Sequence, residues 1–214
     1  MSKTLLPVTQ ERSRLTQLKL LKAATEVLNQ HGVEGATIPR IAAKAGLSTG
    51  AVYRRFPDKD ALLREVCLRA MKSNGSYADE RFRPEAWTGK PLTEIVSLVV
   101  EKTLEGHTKH RGILRAMVYF TMEHPDASFV REMEELEGKT FQAITTLILT
   151  RKKEIRHPDP ESAVPFALFM LGITAQGTAV LPRDPKKAFQ IFPQLEARLA
   201  PELTRMLFRY LGLE

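Results

Sequence analysis

Apolar residues recur at intervals of three and four along nearly the whole chain, and no stretch alternates residue by residue as a half-buried strand would. In the first such segment Leu20, Leu21, Ala24, Val27 and Leu28 form one face, while Lys19, Lys22 and Glu26 keep the other wet. Thr9 is placed to cap this helix and Gly32 to end it in a left-handed turn. A shorter helix should follow Thr37, with Pro39 in the first turn, where a missing N–H costs little, and Ile38, Ile41, Ala42 and Ala45 as its apolar side. Gly46 then supplies a turn, Leu47 plugs the corner, and Ser48 caps a third helix running to Arg55. Asp58 caps a fourth, expected over 58–73, with Asp60 in its first turn and Leu62, Leu63, Val66 and Ala70 facing inward. SNGSYADERFRPEAWTGKP reads as a connection with at most partial helix. Further helices are expected at 92–106, 110–123, 126–153, 161–181 and 186–212, the last broken or restarted at Pro201. The pattern predicts an all-α chain: a three-helix helix-turn-helix domain over 1–58 and a larger helical domain over 59–214, with neither repeat nor low-complexity tract.

One segment resists a purely internal explanation. Ser48 to Arg55 is barely two turns long, yet it carries Tyr53, Arg54 and Arg55, which cannot all point into a core. Two short helices joined by a glycine turn and braced by a longer one form a helix-turn-helix, whose second short helix enters the major groove of duplex DNA. Val52 and Phe56, four apart, can pack backward, and small Ala51 lets the backbone come close to base edges. That leaves Thr49, Gly50, Tyr53 and Arg54 for the groove. The Tyr53 hydroxyl suits a phosphate, Arg54 or Arg55 a bidentate contact to guanine or a phosphate clamp, and Lys59 the DNA backbone. Thr37 and the N–H groups of its helix offer a second phosphate seat, with Arg40 close by. The plainer alternative makes Arg54, Arg55 and Lys59 a solvated face, Tyr53 a half-buried tyrosine and Ser48 a cap only.

Composition narrows the choice. The 214 residues are 43% hydrophobic and 27% charged, an ordinary globular balance that excludes global disorder. The net charge of +7 allows nucleic acid or an anionic membrane, and its location is more telling: residues 1–60 hold ten Lys/Arg against five Asp/Glu. A lone cysteine, Cys67, forms no internal disulfide and sits among apolar neighbours as an inert core thiol, which suits the cytoplasm. The N-terminal MSKTLLPVTQERSRL lacks the apolar core of an export signal. The uncharged run 162–182 is long enough to span a bilayer, but Pro165, Gln176 and its glycines favour a buried or interface helix.

The order of residues adds a resemblance. From Gly32 to Leu62 the chain reads GVEGATIPRIAAKAGLSTGAVYRRFPDKDAL. This resembles the N-terminal domain of the TetR/AcrR family of transcriptional regulators, with its G, T, IA, AG(V/L)S, G, Y, F, K and L in order, over residues 12–66. The resemblance implies that Thr37, Ser48, Thr49, Gly50, Ala51, Tyr53, Arg54 and Lys59 touch or approach DNA. Arg55 replaces a histidine often found there, and Arg40 stands where an acidic residue is common, so operator preference stays open. The resemblance further implies a homodimer built from the last two helices, an inner cavity for a small-molecule effector, and repression of a palindromic operator relieved by that effector. Helix 162–182 and the C-terminal helix, with Leu195, Leu199, Leu203, Met206, Leu207 and Tyr210 at helical spacing, are the dimer candidates, against packing within one subunit. For the cavity, Trp87, Met117, Phe120, Phe141, Phe166, Phe169 and Met170 supply soft apolar walls, as do Tyr119 and Met122, though any one such residue is more often plain core than ligand contact.

Other chemistries find less support. His107 and His110 sit three apart, a spacing open to a metal but without a third ligand, so solvated histidines are expected and no metal or cofactor. RHPDPE, with His157, Asp159 and Glu161, reads as a capped turn. No nucleophile elbow, phosphate loop or dinucleotide fingerprint is present, which leaves an enzyme as a minor alternative and a membrane-surface adaptor as a third class.

Overall fold

A computed structural model describes residues 6–180 and 195–213 of the chain. Among them every regular element is helical. They run α1 (Leu6–Gly35), α2 (Ile38–Ala45), α3 (Thr49–Tyr53), α4 (Lys59–Arg81), α5 (Leu92–Lys109), α6 (Arg111–Val118), α7 (Ala127–Leu149), α8 (Pro160–Val180) and α9 (Leu195–Leu211). Short 3-10 turns lie at Pro84–Trp87 and Lys152–Glu154, and a π turn at Tyr119–Glu123 follows α6.

Two compact units emerge. The first holds the residues through Ala70 together with Gly112–Val130, and the second Met71–Arg111 with Arg131 onward. In the first, the stripe read from the sequence becomes core: Leu20, Ala24, Leu28, Ile41, Val52, Leu62 and Leu63 are fully or almost fully buried. Cys67 joins them, and burial pushes its thiol up to about 12, which keeps the reactive thiolate unpopulated. Asp58 caps α4 by accepting from the Ala61 amide at 2.7 Å, and Asp126 caps α7 by accepting from Phe129 at 2.9 Å. Gly112 lets α6 reach α1 backbone to backbone, its amide donating to the Asn29 Oδ1 at 3.1 Å.

In the second unit α5, α8 and α9 pack on one another around Ile95, Val99, Val164, Leu171, Leu207 and Leu211. An inner staple fixes the start of α5: Glu154 accepts from the Leu92 amide at 3.1 Å, while Arg151 donates to the carbonyl of Lys90 at 2.7 Å. Cation, carboxylate and helix N-terminus complement one another there.

Several boundaries differ from those expected. The backbone of α1 is already helical from Leu6, so Thr9 is not its cap, and Thr9 lies outside the residues whose side chains are described. Gly32 does turn to φ 68°. The fourth helix continues to Arg81 through the supposed connection, past Ser73, Asn74 and Gly75, although the side chains of 72–74 are exposed there. The helix expected over 92–106 runs on to Lys109, and the next starts at Arg111, with the break at His110, whose φ is −115°. The helix over Leu195–Leu211 runs through Pro201 without restarting; the expected stretch 186–194 lies outside the described residues. No helix among the described residues is long and apolar enough to cross a membrane.

His107 is half-buried rather than solvated, its Nδ1 donating to the Thr103 carbonyl at 2.7 Å. Burial holds its pKa below the ordinary 6.5 despite that hydrogen bond, and His110 is lowered by burial and by Lys109. The unfolded chain therefore binds more protons below 6.5, so stability is full above that pH and is lost as pH falls toward the folded values. Urea midpoints are expected to drop between about pH 7.5 and about pH 5.5, and His107→Leu to flatten that slope; an unchanged slope contradicts the assignment.

Candidate nucleic-acid interface

The turn between α2 and α3 is set by local chemistry. Gly46 adopts φ 66° and ψ 36°, a left-handed conformation that leaves its amide free to close the end of α2 on the Ala42 and Ala43 carbonyls. At the other end of α2 the Thr37 hydroxyl accepts from the Arg40 amide at 3.4 Å. Ser48 starts α3 the same way, its Oγ accepting from the Ala51 amide at 3.2 Å. Five residues cannot hold a helix alone. Val52 at 0% exposure and Phe56 at 8% tie α3 to the core from behind, and this burial fixes which side of α3 looks outward.

The outward side carries Thr49, Gly50, Tyr53 and Arg54, all exposed. Tyr53 is 56% accessible, a large exposure for an aromatic ring on so short a helix. The Arg54 side chain makes no hydrogen bond or ion pair with a described residue, so its five donors are available to a ligand. Gly50 is costly inside a helix, by about 1 kcal/mol relative to alanine, and nothing in the chain requires it. A Cβ there would meet only the Ser48 Oγ, at 3.9 Å, so the space beside it is open to an approaching molecule.

The remaining positions divide. Ala51 is buried at 7%, its methyl turned into the chain's own interior and away from the outer face. Arg55 is half-buried and turns inward, donating to the Ala51 carbonyl at 3.2 Å and to the Ser13 Oγ at 3.5 Å. Arg40 donates to the Gly35 carbonyl at 2.6 Å beside the exposed Thr37. Lys59 donates to the Val33 carbonyl at 3.3 Å, its stem half-covered. The Arg55–Ser13 contact also brings the start of α1 beside α3, with exposed Arg12 and Arg14 on either side of Ser13. The sequence hinted at these two only through the basic excess of its first sixty residues.

The apolar residues nominated for a cavity do not gather on one wall. Met117 and Phe120 are buried in the first unit and Trp87 in the second, where its indole N–H donates to the Arg81 carbonyl at 2.8 Å. Phe141, Phe166, Phe169 and Met170 are exposed, and so is Met122. On α8, Phe166, Phe169, Met170 and Ile173 form one outward stripe; on α9, Met206 and Tyr210 do likewise, and the Tyr210 ring lies 5.8 Å from that of Phe166. Leu203 and Leu207 instead belong to the core of their own unit, and the side chain of Leu195 lies outside the described ones. His157, Asp159 and Glu161 form the expected capped turn, with Asp159 accepting from the Ser162 amide at 3.2 Å. Among the described residues no group of three or more His, Cys, Asp or Glu is placed to hold a metal ion.

Comparison with known proteins agrees with this arrangement. Residues 20–66 match the profile of bacterial regulatory proteins of the tetR family. The nucleoid occlusion factor SlmA of Actinobacillus pleuropneumoniae is 25% identical over 150 residues, 69% of this chain and 72% of the relative. The HTH-type transcriptional regulator AcrR of Shigella flexneri is 28% identical over 128 residues, 58% of this chain and 55% of AcrR. Among solved structures, the transcriptional regulator FadR from Bacillus subtilis in complex with stearoyl-CoA superposes with a TM-score of 0.62. It covers 92% of this chain and 98% of its own at 16% identity, a likeness of fold.

Proposed function

Because the chain belongs, through residues 20–66, to the TetR family of bacterial regulatory proteins, we propose that it is a ligand-responsive transcriptional regulator, a repressor released from a palindromic operator by a small molecule. Residues 1–58 read the operator, and residues 59–214 bind the effector and join two copies in a homodimer. No catalytic step is assigned to it, and its place of work is the cytoplasm. The observation that supports this most is the pairing of exposed Tyr53 and unpaired Arg54 on a helix whose opposite side is locked down by Val52 and Phe56. A side chain held out in this way is preorganised for base edges and phosphates.

Dimerisation is supported by the apolar stripe of α8 and α9, since exposed apolar patches on this scale usually mark an interface. Two reading helices then sit one DNA turn apart, roughly 34–36 Å, which requires inverted half-sites. An effector that favours another tilt of α4 changes that spacing. A coupling of about 1–3 kcal/mol weakens operator binding roughly 5- to 150-fold. FadR with its stearoyl-CoA is a precedent for a ligand with a long acyl chain on this fold and does not identify the one used here.

Selection of genomic fragments bound by the intact protein tests the reading. Enriched fragments are expected to share an inverted repeat; enrichment of none, or of sites without two-fold symmetry, overturns it. Phe169→Glu is expected to give a monomer in sedimentation, and a persisting dimer removes α8 from the interface. Lys59→Ala should weaken all DNA sequences alike and flatten the salt dependence by about one unit; a loss confined to one base position contradicts a phosphate role.

A further inference from the structure

We propose that an open groove between the turn at Pro84–Trp87 and α7 binds an amphipathic organic anion, an apolar body with a single carboxylate head. As the seat of the effector this rests on the regulator reading above; as a binding site it does not. The groove has a volume of about 500 Å³, in the range of small-molecule sites. Phe82 and Arg83 line one side, and Lys139, Gln142, Thr146 and Leu147 line the other.

The spacing of the α7 residues puts them on one face over two turns, with a polar rim of Lys139, Gln142 and Thr146 beside an apolar floor that ends at Leu147. Leu147 and Phe82 are themselves buried core residues whose edges reach the groove. No acidic residue lines it, whereas two cations do.

Lys139 supplies the rim of this groove with an ammonium. Glu135 precedes it by four residues, the favourable spacing for a helical ion pair, yet Lys139 pairs with no described residue. Some cations of the same unit pair with carboxylates, Lys72 with Glu132 at 2.7 Å, Lys152 with Glu161 at 2.9 Å and Arg205 with Glu202 at 3.0 Å, whereas Lys139, like Arg131 and Lys153, pairs with no described one. An unneutralised ammonium at the rim, an amide and a hydroxyl able to donate beside it, and an aromatic–aliphatic floor complement a carboxylate attached to a hydrocarbon. A cationic or purely apolar ligand leaves those donors without an acceptor.

Trp87 is the only tryptophan, and although it does not line the groove it lies buried in the same short turn as the lining residue Pro84, so its emission is a nearby reporter. Intact protein titrated with decanoate below its micelle concentration should give a saturable change in that emission. Decanol and decyltrimethylammonium should bind at least about tenfold more weakly. Lys139→Glu should weaken decanoate by about tenfold or more and Lys139→Arg by less than about threefold. Lys109→Glu makes the same charge change away from the groove and should leave the affinity alone. Equal binding of decanol and decanoate, or equal losses from Lys139→Glu and Lys109→Glu, overturns the site. Where decanoate binds, release of operator from the parent protein but not from Lys139→Glu assigns the groove to the effector, and unchanged operator binding withdraws that role. DNA binding without any ligand is scored in the same gel, so failure of the regulator reading is seen separately.

Discussion

Replacing both Tyr53 and Arg54 by alanine is expected to lower operator affinity by about 2–4 kcal/mol, roughly 30- to 700-fold, while thermal stability stays within error. Both side chains point away from the core, and the Arg54 side chain holds no partner among the described residues whose loss would unfold anything. The cap at Ser48 and the anchors Val52 and Phe56 survive the change, so α3 keeps its shape and loses only its outer chemistry. Arg55→Ala provides the contrast. Its guanidinium bridges the Ala51 carbonyl and Ser13, so its removal should cost stability as well as DNA affinity. Titration of a labelled operator fragment, with melting curves alongside, separates the two. A double variant that binds within about twofold of the parent excludes α3 as the reading helix.

Gly112→Val is expected to destabilise the protein by about 2–4 kcal/mol, with Gly112→Ala following in the same direction. A Cβ at this position would lie 2.5 Å from the Asn29 Cα and 2.8 Å from the Asn29 nitrogen, with the Leu28 carbonyl closer still. These are backbone atoms inside α1 and cannot swing aside, so α6 must lift from α1. The hydrogen bond from the Gly112 amide to Asn29 is then lost too. Since α1 also carries the core residues against which α2 and α3 are stacked, operator affinity should fall together with stability, unlike in the Tyr53/Arg54 variant. Urea midpoints measure the first effect; a midpoint unchanged by valine shows that the close approach is not tight.

The helix-turn-helix was legible because its signals are local. Thr37, Ser48 and Asp58 each cap the amide three residues on, Gly46 turns in place, and Val52 and Phe56 mark the inner side of a helix by their spacing alone. The outward side follows by subtraction, as Tyr53 and Arg54 illustrate. The apolar nominees for a ligand cavity were harder, since a phenylalanine on a helix looks the same whether it faces a core, a partner copy or a ligand. Phe120 is fully buried and Phe169 lies 56% exposed, and nothing in their neighbours' identities separates the two. The groove at Lys139 escaped notice because its two sides lie some fifty residues apart, one of them in a segment read as a mere connection.

By itself the chain determined everything carried by periodicity and capping: an all-helical architecture, the order of its elements, and a short third helix with an exposed outer face. Tertiary structure decided what depends on residues distant in sequence. It drew Arg55 and Lys59 onto backbone carbonyls, turned Ala51 inward, and put Gly112 against the backbone of α1. The reason is one of range: a cap or a left-handed glycine closes its hydrogen bonds within a few residues, whereas the direction of a long side chain is fixed only when another part of the chain arrives to cover it or to accept its proton.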